Sequence, residues 1–548
     1  MTMFEFSFLV AMAAPFLALV PSLVLKGTHA FKWNSLLLAM AGAGGTAASV
    51  YAVVNEVPFT YALPIFYSTS LVFDRFSAIF FLATSLVLFA VGVFSSAIGD
   101  RLKGVINLRV LGLFTAIFVI GVQWTLTAGN IVGFLAACGL MTLATFAMIL
   151  ADATPAGQRS AFRFLSVALV GMGMLTAGFF MLTTGALFVG FDSLQTLAGQ
   201  VDTTTLGIAF GLILTGLLSL VTIAPAKAPS TSSALLFGSM TSVSLYVFIR
   251  CILFILPPLS LWFALPVLIL GSVLAIGSLI VATKQTDMKR LLAWASDAVF
   301  GTVLLTMGCA MMFQSLALYE AMNVALFATF ALILANAFAT SGLFLSAGVM
   351  GSAYRTRDMN SIRGIALHMP KLTMATLVLC LSAASLPLVG AFSGKWMIVT
   401  SVISSVRSLD MPMRWGMMGI FIAFAAIVAL SFKVMTTLFA TITFGGDVPE
   451  QVTKSSEPEN VLLIPISALA LCSVTLFFAL PRLLEAISAG PMTDVPGTFQ
   501  GGVISSNVVL RPVVLAGVLL VGMVGAYLVK RFVTQNQKPQ SSVTPELV

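Results

Sequence analysis

Ser385–Trp396 reads SLPLVGAFSGKW and lies inside an apolar run, Leu372 to about Ser404, long enough to cross a bilayer. It breaks two rules for a plain spanning helix. Pro387, Gly390 and Gly394 interrupt the hydrogen-bond ladder, and Lys395 places an ammonium group at membrane depth. A charge there costs about 3 kcal/mol or more, and broken helix is tolerated only where protein or a water-filled cavity surrounds it. Proline and glycine breaks near a midplane charge are what ion-transporting helices use to present backbone dipoles to a moving ion. The plainer reading is a proline-kinked helix whose Lys395 reaches to an interface.

Outward from this stretch, the composition is that of a membrane protein. The chain has 548 residues, 59% hydrophobic and 8% charged, where soluble domains carry about a quarter charged residues. No polar stretch is long enough to bury a core of its own. The net charge of +8 does not point to nucleic acid, because the basic residues sit in loops between apolar runs. Cys138, Cys251, Cys309, Cys380 and Cys472 all fall within apolar runs without paired spacing, which excludes a disulfide framework and an iron–sulfur site. His29 and His368 lie in loops, which excludes haem ligation inside the membrane. The first run follows Met1–Glu5 with no basic segment or clear cleavage site, and is expected to be a retained helix.

Fifteen runs of spanning length follow one another, near 6–25, 34–54, 72–98, 105–127, 130–151, 162–186, 204–224, 232–256, 261–283, 295–315, 324–349, 372–404, 415–442, 461–480 and 512–531. With the N-terminus outside, nineteen Lys and Arg fall on the inner side and six on the outer side, with Lys395 and Lys433 inside spans. This bias predicts a periplasmic N-terminus and a cytoplasmic C-terminus. The expected fold is an all-α polytopic transmembrane bundle of about fourteen to fifteen helices with discontinuous helices. Ile131–Asp152, Pro225–Arg250 and the break at Pro387 suggest inverted repeats, without clear internal identity. The expected divisions are N-terminal helices over 1–71, a core over 72–445, C-terminal helices over 446–531 and a disordered cytoplasmic tail over 532–548. Gly490–Asn507 reads as an outer loop.

Four landmarks occur in order. Ala228–Arg250, APSTSSALLFGSMTSVSLYVFIR, resembles AP-x-x-x-SALL-x-G-x-x-x-K-x-G-x-Y. Lys284–Ser296, KQTDMKRLLAWAS, resembles TD-I/L-KR-LLAYSS. Asn336–Gly348, NAFATSGLFLSAG, resembles HAxFKxLLFLxAG, continued by Arg357–Pro370, RDMNSIRGIALHMP. SLPLVGAFSGKW then resembles the proline-broken helix followed by F-x-S-K/E-W. Together these resemble the antiporter-like membrane subunits of respiratory complex I, membrane-bound hydrogenases and multi-subunit cation/proton antiporters, over roughly residues 70–445. The Arg357–Pro370 stretch leans toward the hydrogenase-4 and formate-hydrogenlyase type. The resemblance implies a bacterial inner-membrane subunit without a cofactor of its own, beside redox subunits that carry the chemistry, and at most part of an NADH:quinone oxidoreductase or hydrogenase.

The resemblance also implies a row of buried ionisable groups carrying protons at mid-membrane, where paired charges shift one another. This chain departs from that row. Gly139, in FLAACGLMTLATF, stands where the fifth-helix Glu is expected, and no Lys or Arg occurs between Arg163 and Lys227 to serve the seventh helix. Ser242 replaces the eighth-helix Lys, while Asn336 and Thr340 replace the His and Lys farther on. Lys395 remains, with Lys433 one helix later. The expected ion pathway is therefore Lys395, Lys433, Ser242, Asn336 and Thr340, with helix breaks at Pro387, Gly390 and Pro225. Hydroxyls and amides can conduct along a hydrated chain but cannot bind a proton at neutral pH. Alternatively, Thr241, Ser242, Ser244, Asn336, Thr340 and Ser341 satisfy one another between helices. Asp297 and Glu320 read as interfacial, Lys227 as an inner-loop charge, and Lys289 with Arg290 as caps of helix ends and contacts to neighbouring subunits.

Three functions compete. One is a proton-translocating subunit of a complex I-type or hydrogenase-4-like complex. Another is a non-pumping structural subunit of such a complex, or of an inorganic-carbon uptake complex. The third is an independent secondary transporter, against which stands the lack of paired midplane charges. The loss of Glu and Lys favours the second, and the motifs favour the first.

Overall fold

The computed structural model describes residues 2–25, 27–55, 59–62, 70–104, 106–151, 154–186, 188–221, 228–250, 260–406, 409–444 and 457–488. Pro225, Lys227, Cys251, the run at 512–531 and the tail lie outside these residues. The chain begins with α1 (Met3–Val24) and α2 (Gly27–Asn55), then a hairpin of β1 (Phe59–Ala62) and β2 (Ser70–Phe73). There follow α3 (Arg75–Leu102), α4 (Leu108–Thr127), α5 (Ile131–Leu150), α6 (Pro155–Leu182), the short α7 (Phe191–Ala198) and α8 (Thr203–Val221). Next come α9 (Ser230–Leu235) and α10 (Thr241–Arg250), joined through one wider π turn, Leu236–Met240, into a single rod. α11 (Leu261–Ala282), α12 (Met288–Ser315) and α13 (Tyr319–Tyr354) precede a single helical turn, α14 (Ile365–His368). The described chain closes with α15 (Pro370–Ala383), α16 (Gly390–Ser405), α17 (Met411–Thr443) and α18 (Asn460–Ser488).

Thirteen of these rods are long and apolar enough to cross a membrane. The two halves α15 and α16 together make one more crossing. The all-α polytopic bundle expected from the apolar runs is therefore the observed fold, and each run before 512 has its helix.

The polar residues at the ends of runs are what start the helices. The side chains of Asp74, Asn107, Asn130 and Thr154 accept hydrogen bonds from the amides of Ser77, Val110, Gly133 and Gly157, at the starts of α3, α4, α5 and α6. Each satisfies an amide that the first helical turn would leave without a partner. Asp287 caps α12 in the same way through the amides of Lys289 and Arg290.

α13 is the axis of the core. Its 36 residues extend about 54 Å, and nearly all of those from Ala321 to Met350 are buried. α12 and the α9–α10 rod are almost as fully enclosed, whereas α1, α6, α11 and α17 keep one apolar face outward. Glycine allows a close contact between α11 and α12. A Cβ on Gly271 would stand 2.5 Å from the amide nitrogen of Leu305, and one on Gly301 2.5 Å from that of Ala275. Small residues permit such backbone approach where lipid offers no hydrophobic drive to bring helices together.

At one end of the bundle two of the quoted motifs meet. The Met288 amide donates to the Arg357 carbonyl and the Met359 amide to the Thr286 carbonyl, both at 3.0 Å. This bridge joins the entry of α12 to the segment after α13. Lys289 is buried and its Nζ donates to the Ala228 carbonyl at 3.2 Å, just ahead of α9.

Candidate functional site

α15 ends at Ala383 and α16 starts at Gly390, with Pro387 in the linker. Ser385 (φ 58°) and Leu388 (φ 76°) take left-handed backbone there, a conformation that side chains other than glycine adopt at a cost of about 1 kcal/mol or more. The linker uncouples the two half-helices and sets Lys395 on the second turn of α16, against α13. Gly394 beside it lies so close to α13 that a Cβ would be 3.0 Å from the Ala328 carbonyl oxygen.

Lys395 is 8% exposed. It lines a cavity with about 30 Å³ of water-accessible space, enclosed by α11, α12, α13, α15, α16 and α17. One ordered water needs roughly 10–15 Å³, so the cavity has room for two or three. Asn336 and Thr340 of α13 share the wall, and the Thr340 hydroxyl donates to Asn336 Oδ1 at 2.7 Å. Ser296 of α12 and Ser382 of α15 also line it, and their hydroxyl oxygens have no hydrogen-bond partner among the described residues. The result is one ammonium, one amide and several hydroxyls around a space that water can fill.

The structure brings Lys395, Asn336 and Thr340 together and leaves Ser242 and Lys433 elsewhere. Ser242 is enclosed in α10 and its hydroxyl donates to the Gly238 carbonyl at 2.7 Å. Thr241 and Ser244 likewise bond back to Phe237 and Met240. Ser341 of α13 donates to the Ala234 carbonyl at 2.9 Å, next to the π turn. These hydroxyls serve the broken ladder of their own rod and its neighbour. On α17, Ser431 and Met435 face the cavity, while Lys433 is exposed on another side of the helix. Gly139 is half-buried, and a Cβ there would meet nothing within 4 Å.

Two ionisable groups lie deeper than their sequence surroundings suggest. Asp297, expected at the interface because the tenth apolar run starts near 295, is 8% exposed. α12 in fact starts at Met288, which places Asp297 nine residues, about 14 Å, inside the helix. Glu320 is exposed on the first turn of α13, as expected. Arg250, counted among outer loop charges, is the buried last residue of α10. Its Nη1 donates to Asp74 Oδ2 at 2.9 Å and to the Tyr246 hydroxyl at 3.0 Å, and the guanidinium lies over the rings of Phe76, Phe191 and Tyr246. The Tyr246 hydroxyl also reaches Ser77 at 3.0 Å and the Leu126 carbonyl at 3.2 Å, tying α3, α4 and α10 together. Burial pushes the Asp74 carboxyl up, but Arg250 and the amide and hydroxyl of Ser77 outweigh it and hold the group below 3.8. A long polar side chain at the end of an apolar run was the one sequence signal for this cluster.

A bundle of this kind, with a proline-broken crossing and a buried lysine beside a hydratable cavity, defines a polytopic membrane protein. A sequence profile described as "NADH:quinone oxidoreductase/Mrp antiporter, TM" matches residues 128–422, more than half of the chain, and the chain belongs to that family. An uncharacterised protein of Mycobacterium tuberculosis is 27% identical over 388 residues, 68% of this chain, which spans only 58% of that relative. Hydrogenase-4 component B of Escherichia coli is 24% identical over 465 residues, covering 81% of this chain and 68% of its own length. Among solved structures, a chain of the archaeal membrane-bound sulfane sulfur reductase superposes with a TM-score of 0.78 at 17% identity, over 99% of this chain and 86% of that one. A chain of the Mrp complex from Dietzia sp. gives 0.72 at 17% identity, over 89% and 96%. At that identity the structures speak for the fold alone.

Proposed function

We propose that this chain is a proton-translocating, antiporter-like membrane subunit of a multi-subunit complex of the complex I or hydrogenase-4 kind, in a bacterial inner membrane. Its transport core is residues 72–445, its N-terminus is periplasmic and its C-terminus cytoplasmic. It holds no cofactor of its own, and electron transfer belongs to partner subunits. The observation that carries this reading is Lys395, a buried ammonium on a broken helix facing space for water. A lysine kept at membrane depth by a strained linker, rather than replaced by an apolar residue, fits a proton-exchanging group. Asn336 and Thr340 orient water against it. Lys433, exposed on α17, lies outside this path and suits contact with lipid headgroups or a neighbouring subunit.

A structural, non-pumping subunit is the second reading. Gly139 and Ser242 favour it, because the first supplies no ionisable group and the second turns its hydroxyl onto its own helix. Lys395→Ala separates the two. The complex is purified through a tag on this chain and reconstituted, and proton movement is measured during turnover. Proton transfer that falls severalfold at normal assembly supports translocation. An active complex with unchanged proton transfer leaves the structural reading, and recovery of this chain alone removes both.

A further inference from the structure

The Lys395 cavity gathers hydrogen-bond donors around a positive charge. Among the described residues that line it there is no aspartate or glutamate, so its charge is that of the Lys395 ammonium alone. An ammonium held away from bulk water is costly unless an opposite charge or several acceptors surround it. The Thr340 hydroxyl fills Asn336 Oδ1 at 2.7 Å, which leaves the amide NH2 as the part of Asn336 still to be satisfied. Ser296 and Ser382, 2% and 0% exposed, both line the cavity, and the hydroxyls of both lack a hydrogen-bond partner among the described residues.

The broken crossing adds to this from one side only. At the end of α15 the carbonyls of Cys380, Leu381 and Ser382 accept from the amides of Ala384, Leu386 and Ser385, so the linker's own amides meet the negative end of that half-helix. At the start of α16 no side chain caps the first turn, and Ala391 of that turn lies in the cavity wall. Amides at a helix start carry partial positive charge and are where anions bind. Lys395 stands one turn farther along the same helix and lines the same space.

We propose that this cavity binds a small monovalent anion, chloride by size, between the Lys395 ammonium, the Ser296 and Ser382 hydroxyls and the first turn of α16. Chloride is little larger than a water molecule, so space for two or three waters takes the ion with a water beside it. Waters alone would engage the hydroxyls but leave the ammonium without a counter-charge in a low-dielectric interior. The ion is bound and released without covalent change. It supplies from solution the negative partner that no side chain of the cavity provides.

Anion binding is separate from proton transfer and is read directly. The complex, purified through a tag on this chain into chloride-free gluconate buffer, is held on scintillation beads and titrated with radioactive chloride at constant ionic strength. The wild type should show saturable binding that bromide competes away and gluconate, too large for the cavity, does not. Lys395→Met should abolish that binding at normal assembly. The double variant Ser296→Ala/Ser382→Ala, which keeps the lysine, should weaken it at least about tenfold. No saturable chloride binding by the wild type, binding that survives Lys395→Met, or a double variant within about twofold of the wild type overturns the proposal. If Lys395→Met fails to assemble, the double variant decides by the same thresholds. Proton transfer by the reconstituted complex keeps the two readings apart. A wild type that binds no chloride, with transfer lost in Lys395→Ala, removes the anion and keeps translocation. Chloride bound by the wild type, with transfer unchanged in Lys395→Ala, does the reverse.

Discussion

Replacing Asp74 by Ala removes the carboxylate paired with the Arg250 guanidinium, whose side chain is only 10% exposed and lies against three aromatic rings and the Tyr246 and Ser77 hydroxyls. Breaking a buried ion pair by removing one member costs about 3–5 kcal/mol. Asp74 keeps 33% of its side chain exposed, so solvent screens part of this, and the expected loss is about 2–3 kcal/mol. The assay is equilibrium or thermal unfolding of the detergent-purified chain as a double-mutant cycle. Asp74→Ala, Arg250→Met and the double variant are compared with the wild type. The double variant should resemble Arg250→Met, giving a coupling of at least about 1 kcal/mol. The acid limb provides an internal check. The folded-state carboxyl lies below the unfolded value of 3.8, so its contribution is complete at neutral pH and is lost as the pH falls through the folded value. The gap between wild type and Asp74→Asn should therefore close on acidification and stay constant from neutral to mildly alkaline pH. An Asp74→Ala loss under about 0.5 kcal/mol, or an additive cycle, would refute the account of this cluster as a structural latch.

Gly301→Val drives a side chain into the Ala275 backbone and should separate α11 from α12, with a loss of about 1–3 kcal/mol and poor recovery of monodisperse protein on gel filtration. Gly139→Ala meets nothing within 4 Å, so it should raise the unfolding midpoint, by up to about 1 kcal/mol of helix propensity. Ser385→Gly relieves left-handed backbone at φ 58°. It should leave stability unchanged or raise it by about 1 kcal/mol, and a clear destabilisation would mean that the serine hydroxyl matters more than the backbone. Glu457 accepts from the amides of Lys371 and Leu372 at the start of α15, and Glu457→Gln should cost about 0.3–1 kcal/mol, seen as faster amide exchange in that first turn.

Crossings were legible because hydrocarbon length and apolar content decide them, whatever packs against them. The boundary at Thr127–Asn130, marked only by polar residues, is where α4 stops and Asn130 caps α5. Legibility failed where a charge is buried. Lys289 and Arg290 made the first turns of α12 read as a loop although Lys289 is buried, since an apolar-run criterion cannot distinguish a charge held inside protein from one in water. Arg250 was displaced outward for the same reason. The hairpin of β1 and β2 escaped notice between two strongly apolar helices. In the cavity, Lys395 announced itself through the Pro387 break, but which serines share it depends on the rotation of six elements about their axes. Ser242 and Asn336 look equivalent in sequence; only the packing turns one onto its own helix and the other to the cavity.

The bridge at Thr286–Met288 and Arg357–Met359 also bears on what can move. α12 and α13 are joined at one end by the short turn Leu316–Leu318 and at the other by this pair of backbone hydrogen bonds. They form a closed frame braced at both ends, and Thr306 and Thr329 stitch its middle at 2.8 Å. The frame carries Asn336 and Thr340 as fixed posts. Opposite stands α16, tethered to α15 by a strained, non-helical linker. On the translocation reading proposed above, the moving part is Lys395 on its hinge, passing a stationary wall, and not the wall itself.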